Sequence, residues 1–169
     1  MKYALIGSRE AGPATLALAE SIGRFLALNG QECHSGNALG MDQKYFVGVN
    51  SIAPQLGHLH LPWSTYEAQA IHPDNVIHHE PITDEMWELA KNHHPAWQYL
   101  KQGARKMMGR NASIILNSDR TIAAPNPNKS GGGGTGHGIR ISHAIGHDVL
   151  LIGEDSKFTE FMKWYEEAT

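Results

Sequence analysis

Short apolar runs alternate along this chain with longer segments whose apolar residues recur at helical spacing. The first run, at positions 3–6, is entirely apolar and ends at Gly7, which predicts a buried strand. Four apolar residues then recur at the spacing of one helix face: Leu18, Ile22, Phe25 and Leu26. Asn29-Gly30 follows them and predicts the end of that helix. The N-terminal part of the chain is therefore predicted to be a strand followed by a helix.

The same reading extends to the rest of the chain. The predicted strands are 3–6, 32–35, 56–61, 112–116 and 149–152. The predicted helices are 13–29, 41–52, 84–92, 95–109, 136–145 and 158–165. Residues 62–83 are predicted to be irregular, and 117–135 to form a long polar loop. Strands alternating with helices predict an α/β fold: a doubly wound parallel sheet of about five strands, with helices on both faces and one domain over 1–169.

Three turns in the chain contain glycines and follow or precede predicted elements of the sheet. They are GSREAGP at 7–13, SGNALGMD at 35–42 and SGGGGTGHGIR at 130–140. In a doubly wound sheet, such turns converge where ligands bind, beyond the carboxyl ends of the strands. Glycine allows close backbone approach, and a helix N-terminus attracts anions. The turns therefore predict a pocket for a phosphorylated ligand, and we expect a nucleotide-like small molecule.

The first turn differs from a P-loop because no Lys-Ser or Lys-Thr pair follows its second glycine. Ser8 and Arg9 are nevertheless suited to phosphate, since they supply a hydroxyl donor and a guanidinium fork. The alternative interpretation is a tight connection between a strand and a helix, with Arg9 on the surface.

These turns, in this order, resemble those of the SLOG superfamily. That group includes the LOG nucleotide phosphoribohydrolases and the core of DNA-processing protein A. The second turn is similar to SGGARGAD, with Asn37, Leu39 and Met41 as departures. The late turn is similar to GGGxxGTAHTIR, and His137 and Arg140 match its histidine and arginine. The resemblance covers residues 3–152 and implies a Rossmann-like nucleotide-binding fold and a homodimer formed through helices.

The resemblance fails at one catalytic position. LOG enzymes carry PGGxGTxxE, whose glutamate takes part in cleaving the bond between base and ribose. Here Gly134-Thr135 is followed by Gly136, His137 and Gly138, so no acid stands at that place. Two functions therefore remain open: hydrolysis of the N-glycosidic bond of a nucleotide, and non-catalytic sensing or sequestration of a nucleotide or ADP-ribose-like signal.

Hydrolysis would need another carboxylate, because cleavage passes through an oxocarbenium-like state. The carboxylates near the predicted pocket are Glu10, Asp42, Glu67, Glu80 and Asp119. We predict Asp42 and Glu67 as catalytic carboxylates and His137 as a phosphate donor or proton shuttle. The structural alternatives are a helix-capping role for Asp42 and a solvated loop position for Glu67.

The predicted ligand-binding residues come from all three turns. They are Gly7, Ser8, Arg9, Ser35, Gly36, Asn37, Gly40, Gly132, Gly133, Gly134, Thr135 and Arg140. Their expected role is to present backbone N–H groups, hydroxyls and two guanidinium groups to phosphate.

The histidines raise the separate question of a metal. His58 and His60 are two apart on a predicted strand, so their side chains share a face. Two imidazoles could ligate zinc, but a site needs a third or fourth ligand. Only the fold could bring His78-His79 or His93-His94 to them. We predict no metal and no cofactor, with these histidines at the surface or in a polar core.

Charge and composition narrow the expected partners. The formal net charge is −3 and the chain has no basic run, which disfavours nucleic acid. Cys33 is the single cysteine, so an intrachain disulfide is excluded. The sequence shows no signal-peptide pattern and no apolar run of about 18 residues. We therefore expect a cytoplasmic protein without a membrane partner.

A helical apolar surface that includes Met86, Leu89, Ala90 and Trp97 is the expected dimer contact.

Overall fold

A computed structural model describes residues 1–79, 81–129 and 132–168. The strands are β1 Lys2–Gly7, β2 Glu32–Ser35, β3 Gly57–His60, β4 Val76–His78, β5 Arg120–Ala124 and β6 Asp148–Leu151. The helices are α1 Pro13–Leu28, α2 Met41–Asn50, α3 Asp84–Asn92, α4 Gln102–Leu116, α5 Gly133–Ala144 and α6 Phe158–Glu166. The predictions for β1, β2, α1, α3 and α6 agree closely with these bounds.

The strands form one sheet in the order β4-β3-β2-β1-β5-β6, and every pair of neighbours is parallel. From β1 the chain builds outward to β2, β3 and β4, and then returns to place β5 on the other side of β1. The strand order therefore reverses between β1 and β5, which is where doubly wound sheets bind ligands. The prediction of a doubly wound parallel sheet is confirmed, with six strands instead of about five.

Side chains of β1 alternate between two cores on the two faces of the sheet. Tyr3 and Leu5 belong to a core that also contains apolar residues of α1, α2 and α6. Ala4 and Ile6 belong to a second core that contains residues of α3, α4 and α5. All four side chains are buried, as expected for a central strand that is covered by helices on both faces.

The prediction of a strand at 112–116 is wrong, because these residues form the last turns of α4. Ala112, Ile114 and Ile115 are buried against the second core, so the apolar run is the inner face of a helix. A short apolar run cannot be distinguished from a buried helix segment by its pattern alone. The true strand, β5, lies within the predicted loop 117–135. Its sequence RTIAA contains little aliphatic bulk, and its Arg120 is buried against the Trp164 ring, 3.4 Å from the centroid.

Two further differences concern the middle of the chain. β4 has three residues and lies at the edge of the sheet, within a segment predicted to be irregular. The predicted helix 95–109 is instead a short 3₁₀ turn at Trp97–Tyr99, followed by α4 from Gln102. A helix cannot be assigned securely from a single Pro95, because proline also begins short turns.

The apolar residues expected at a dimer contact pack within the chain. Ala90 is fully buried, and Met86, Leu89 and Trp97 pack against the second core. Homodimer formation stays a prediction. Within the described part of the chain, no helix combines the length and the apolar character needed to span a bilayer.

Buried histidines make the stability of this fold depend on pH. Burial lowers the pKa of His34 and of His137 to about 4, against about 6.5 for an exposed imidazole. Between about pH 4 and pH 6.5, these histidines are protonated in the unfolded chain and neutral in the folded chain. Each histidine therefore contributes stability above pH 6.5 that is lost as the pH falls towards 4, at up to about 1.4 kcal/mol per pH unit.

We expect the free energy of unfolding, measured by urea titration, to fall between pH 7 and pH 5. Burial raises the pKa of Asp42 to about 6, so protonation of this carboxyl stabilises the folded chain as the pH falls. Its effect on the free energy of unfolding therefore cancels about as much as one histidine contributes. His137→Gln removes one titrating group and should reduce the slope. A urea midpoint that is equal at pH 7 and pH 5 would contradict this account.

Candidate functional site

A cavity of about 360 Å³ lies at the carboxyl ends of β1 and β5, where the strand order reverses. Three parts of the chain form most of its wall. They are residues 6–10 at the end of β1 and in the turn after it, residues 107–111 of α4 except Gly109, and residues 132–135 at the start of α5. Ala38, Asp42 and Asn126 complete the lining. The cavity is therefore at the place that the glycine turns predict.

The first turn presents Ser8, Arg9 and Glu10 to this cavity. Its backbone is fixed to the sheet, because Ser8 N donates to the carbonyl of Ala124 at 2.9 Å. The Ser8 hydroxyl oxygen accepts from Glu10 N at 2.9 Å, which shapes the turn. Arg9 is exposed, and its guanidinium donates to the Tyr66 hydroxyl at 2.9 Å. Arg9 is thus a cation at the cavity with an orientation set by Tyr66.

The second turn packs against the first turn and is hydrogen-bonded to it. Gly40 has φ +87°, and a Cβ there would lie 2.7 Å from the Cα of Arg9, so only glycine allows this approach. Asn37 also has positive φ, and its side-chain amide donates to the carbonyl of Glu67 at 3.0 Å. Met41 N donates to the carbonyl of Ser8 at 3.3 Å.

Four predicted ligand residues of the second turn lie behind the cavity lining. Ser35, Gly36, Asn37 and Gly40 do not reach it, whereas Ala38 and Asp42 do. The Ser35 hydroxyl is buried and donates to the carbonyl of Leu5. Their positions indicate that this turn shapes the site, and direct contact with a ligand stays a prediction.

Asp42 is the buried carboxyl of the cavity. Its Oδ2 accepts from Ala38 N at 3.3 Å, and the backbone N–H groups of Gly36 and Gly7 also point to it. Burial raises the pKa of Asp42 to about 6, although Arg110 and these N–H groups act in the opposite direction. Near neutral pH this carboxyl can therefore hold or release a proton, and it also connects the first two turns.

Arg110 on α4 is a site residue that sequence reasoning missed. It is buried, it lines the cavity, and its Nη1 donates to the carbonyls of Gly36 at 2.5 Å and of His60 at 3.4 Å. Its Nε finds no hydrogen-bond partner among the described residues. Burial lowers the pKa of Arg110, while the charge of Asp42 opposes this effect. The cavity therefore contains a buried cation with an unused donor.

A helical reading of 102–116 would have revealed this residue. Met107, Arg110 and Ile114 recur at helix spacing, so the arginine lies on an otherwise apolar face. Such a cation is rarely buried without a partner or a ligand. Because 112–116 was predicted to be a strand, the helical spacing around Arg110 was not recognised.

The late glycine turn forms the third side of the cavity. α5 begins at Gly133, which has φ +69°, and Gly132 is its N-cap residue. The first N–H groups of a helix lack partners within the helix and carry the positive end of its dipole. Asn111 Nδ2 donates to the carbonyl of Gly134 at 3.2 Å and so ties the turn to α4. Ser130 and Gly131 lie outside the described residues.

Three further predicted site residues also lie outside the cavity lining: Glu67, His137 and Arg140. His137 is fully buried, and its Nε2 donates to the carbonyl of Ala90 at 2.9 Å while Asn111 Nδ2 lies 3.3 Å from its Nδ1. Its imidazole therefore positions Asn111 and the turn.

Arg140 Nε donates to the carbonyl of His93 at 2.9 Å, and the Glu67 carboxylate accepts from Gln69 at 2.6 Å. Roles of these three side chains toward a ligand stay predictions.

Among the other carboxylates, Glu10 reaches the cavity. It is exposed, and its Oε2 accepts from Asn126 Nδ2 at 2.8 Å. Asp119 instead accepts from Lys2 N at 2.8 Å, at the opposite end of β1. Glu80 lies outside the described residues. Glu10 and Asp42 are therefore the carboxyl groups that the structure places around the cavity.

Comparison with protein-family models and with curated proteins finds no match. Solved structures with a similar fold include DNA processing protein A from Helicobacter pylori, described for its single-stranded DNA binding mode. It is 17% identical, with 99% of this chain and 73% of that chain covered and a TM-score of 0.65. The structural genomics target TM1055 is 18% identical, with 97% and 81% covered and a TM-score of 0.56.

A third similar structure is the molybdenum cofactor binding protein from the phototrophic bacterium Rippkaea orientalis. It is 13% identical, with 99% of this chain and 96% of that chain covered and a TM-score of 0.53. These proteins share an architecture rather than a close sequence relationship with the chain. Together with the strand order of the sheet, they show that this chain has a Rossmann-like α/β fold. Membership of the SLOG superfamily stays a prediction from the three glycine turns.

Proposed function

We propose that the cavity binds a nucleotide through its phosphate. The observation that carries this proposal is the buried Arg110, whose Nε is unpaired among the described residues, in the same cavity as the N-terminus of α5. Both are complementary to an anion, and a phosphate in the cavity would offset the buried charge of Arg110. Arg9 adds a second guanidinium at the same cavity.

The rest of the wall supports a nucleotide rather than a free phosphate ion. The cavity volume of about 360 Å³ lies within the usual range for small-molecule sites, about 300–1,000 Å³. Met107 and Met108 provide flexible apolar surface that suits a base, and Asn111 and Asn126 provide amide groups for polar recognition. The proposed phosphate position is against 132–135, Arg9 and Arg110, with the nucleoside towards Met107 and Met108.

Gly134→Val tests the phosphate position. Gly134 does not have positive φ, and a Cβ there would meet only Asn111 Nδ2, at 3.7 Å, so a larger side chain should fit the fold while it obstructs the turn. We expect nucleotide binding, measured by calorimetry with AMP and ADP-ribose, to weaken at least about 10-fold. Gly103→Val is the matched control, because Gly103 is likewise the second residue of a helix and has open space around it. Equal Kd values for Gly134→Val and the wild type would remove the phosphate from this turn.

Arg9→Ala tests the exposed cation. A charged hydrogen bond contributes about 1.5–3 kcal/mol, so the loss should weaken binding about 10- to 150-fold. Arg24→Ala serves as control, because Arg24 is a partly exposed arginine on α1, away from the cavity, that pairs with Glu20 at 3.0 Å. The proposal predicts a selective effect of Arg9→Ala in calorimetry at fixed salt. If both variants bind as tightly as the wild type, Arg9 is a surface residue without a role in binding.

A second, more specific proposal is that the protein hydrolyses the N-glycosidic bond of the bound nucleotide. It is favoured by two carboxyl groups in different surroundings at the cavity: Asp42 is buried with a pKa raised to about 6, and Glu10 is exposed. In the proposed reaction Asp42 donates a proton to the leaving base as the bond between C1′ and the base nitrogen breaks. The Glu10 carboxylate stabilises the developing sugar cation and accepts a proton from the water that adds to C1′. Without hydrolysis, the same cavity would serve as a sensor or sequestering site.

Glu10→Gln distinguishes hydrolysis from binding alone. We expect release of free base from nucleoside monophosphates, followed by chromatography, to fall about 10²- to 10⁴-fold while nucleotide affinity changes little. Glu85→Gln, which changes an exposed glutamate at the start of α3, is the control. Tight reversible binding by the wild type with no base release would reject hydrolysis and favour the sensor.

Nucleic acid is the comparison ligand, because one structure with this fold is described for single-stranded DNA binding. The chain carries a formal net charge of −3, which disfavours a polyanion. We expect a short single-stranded oligonucleotide to bind much more weakly than a mononucleotide at physiological salt. Tighter binding of the oligonucleotide would overturn this expectation.

A further inference from the structure

Five chelating side chains share one face of the sheet at its β4 edge. They are Glu32 and His34 on β2, His58 and His60 on β3, and His78 on β4. Parallel pairing aligns His34 with His58 and His60 with His78. His34 is also the register partner of Ala4, so this face is the one that packs on α3, α4 and α5. Sequence reasoning identified His58 and His60, and it named His78-His79 and His93-His94 as further ligands that only the fold could bring to them.

Three donor atoms of this group converge. Glu32 Oε1 lies 2.6 Å from His34 Nε2 and 3.5 Å from His58 Nε2. Around a tetrahedral zinc ion with bonds of about 2.0–2.1 Å, two ligand atoms are separated by about 3.4 Å. The three atoms lie within 4.8 Å of one another, and the His34 and His58 rings are stacked with centroids 4.5 Å apart. Binding would therefore need a rotation of one ring, together with shifts of about 1 Å, to reach the required spacing.

The other ring nitrogen of each of these two histidines already has a partner. His34 Nδ1 lies 2.8 Å from His60 Nε2, and His58 Nδ1 lies 2.8 Å from His78 Nε2. His60 Nδ1 continues the chain to the Ser113 hydroxyl at 2.7 Å. Metal-binding histidines usually donate their second N–H to such a partner, which fixes the ring orientation. The network thus orients both Nε2 atoms towards Glu32.

We propose that Glu32, His34 and His58 bind a divalent transition-metal ion such as Zn²⁺ through Oε1 and the two Nε2 atoms. His60 and His78 act as positioning residues. Two imidazoles with one carboxylate favour zinc and its neighbours in the first transition row over Mg²⁺ or Ca²⁺, which prefer oxygen ligands.

Solvent can reach the proposed site. The side chains of Glu32 and His58 are 29% and 16% exposed, whereas His34 is 1% exposed. The ion would therefore have a path from solvent and a fourth position for water. Burial lowers the pKa of His34 to about 4, so its ring is neutral near pH 7 and offers one nitrogen lone pair without loss of a proton to solvent.

A second set of three histidines, His34, His60 and His78, also has nitrogen atoms within 4.8 Å of one another. His60 is 1% exposed and lies beneath α4, so an ion there would lack a comparable path. The set that contains Glu32 also supplies a negative charge, which lowers the cost of placing a divalent cation near the core. These differences favour the site at Glu32.

The test uses the full chain without a histidine tag, because a tag would bind the same ions. The chain is stripped with chelator, dialysed against Zn²⁺, and analysed for bound metal by elemental mass spectrometry. Calorimetry with Zn²⁺ gives the Kd, and the absorption spectrum with Co²⁺ reports coordination by nitrogen and oxygen. We expect one Zn²⁺ per chain in the wild type.

Glu32→Gln and His58→Asn each remove one proposed ligand at a partly exposed position, so both should fold, as circular dichroism can verify. We expect each to weaken Zn²⁺ binding by more than about 10-fold, since loss of even a positioning partner costs about 10- to 100-fold. His143→Asn changes an exposed histidine on α5 and should bind like the wild type. A wild type without stoichiometric metal, unchanged affinity in both ligand variants, or equal weakening by His143→Asn would each overturn the proposal.

Discussion

The buried guanidinium of Arg110 is the interaction on which the candidate pocket depends. It joins α4 to the second turn through the carbonyl of Gly36, and its charge faces Asp42, which in turn receives N–H groups from two turns. Removing Arg110 or Asp42 would leave the charge of the other buried with less compensation, which is destabilising. The pocket lining and the contact between helix and sheet are thus stabilised by the same side chains.

The cavity is lined by side chains of both charge signs. Arg9 and Arg110 attract an anion, whereas Asp42 and Glu10 would repel it if they were both close to it. The balance is adjustable because burial raises the pKa of Asp42 to about 6, close to neutrality. A ligand phosphate would raise the proton affinity of this carboxyl further, so binding and protonation are coupled at this site.

α4 connects the cavity with the histidine face of the sheet. Arg110 and Asn111 line the cavity, and one turn further along the helix Ser113 reaches His60. The backbone carbonyl of His60 also accepts from Arg110 at 3.4 Å. Polar groups are therefore continuous from the strand reversal to the β4 edge, in a layer that most doubly wound sheets fill with aliphatic side chains. Hydrogen bonds between neutral imidazoles replace much of that aliphatic packing.

The sequence alone determined the class of fold and the location of the site, because strand and helix periodicity and the three glycine turns are local properties of the chain. It did not determine the position of β5, since its two alanines have little local strand preference and its short sequence becomes a strand only between β1 and β6. For the same reason it hid Arg110, whose burial depends on a helix packing over β3. Strand register likewise decided that His34 and Glu32 meet His58, because contacts between residues far apart in the chain follow from pairing rather than from spacing.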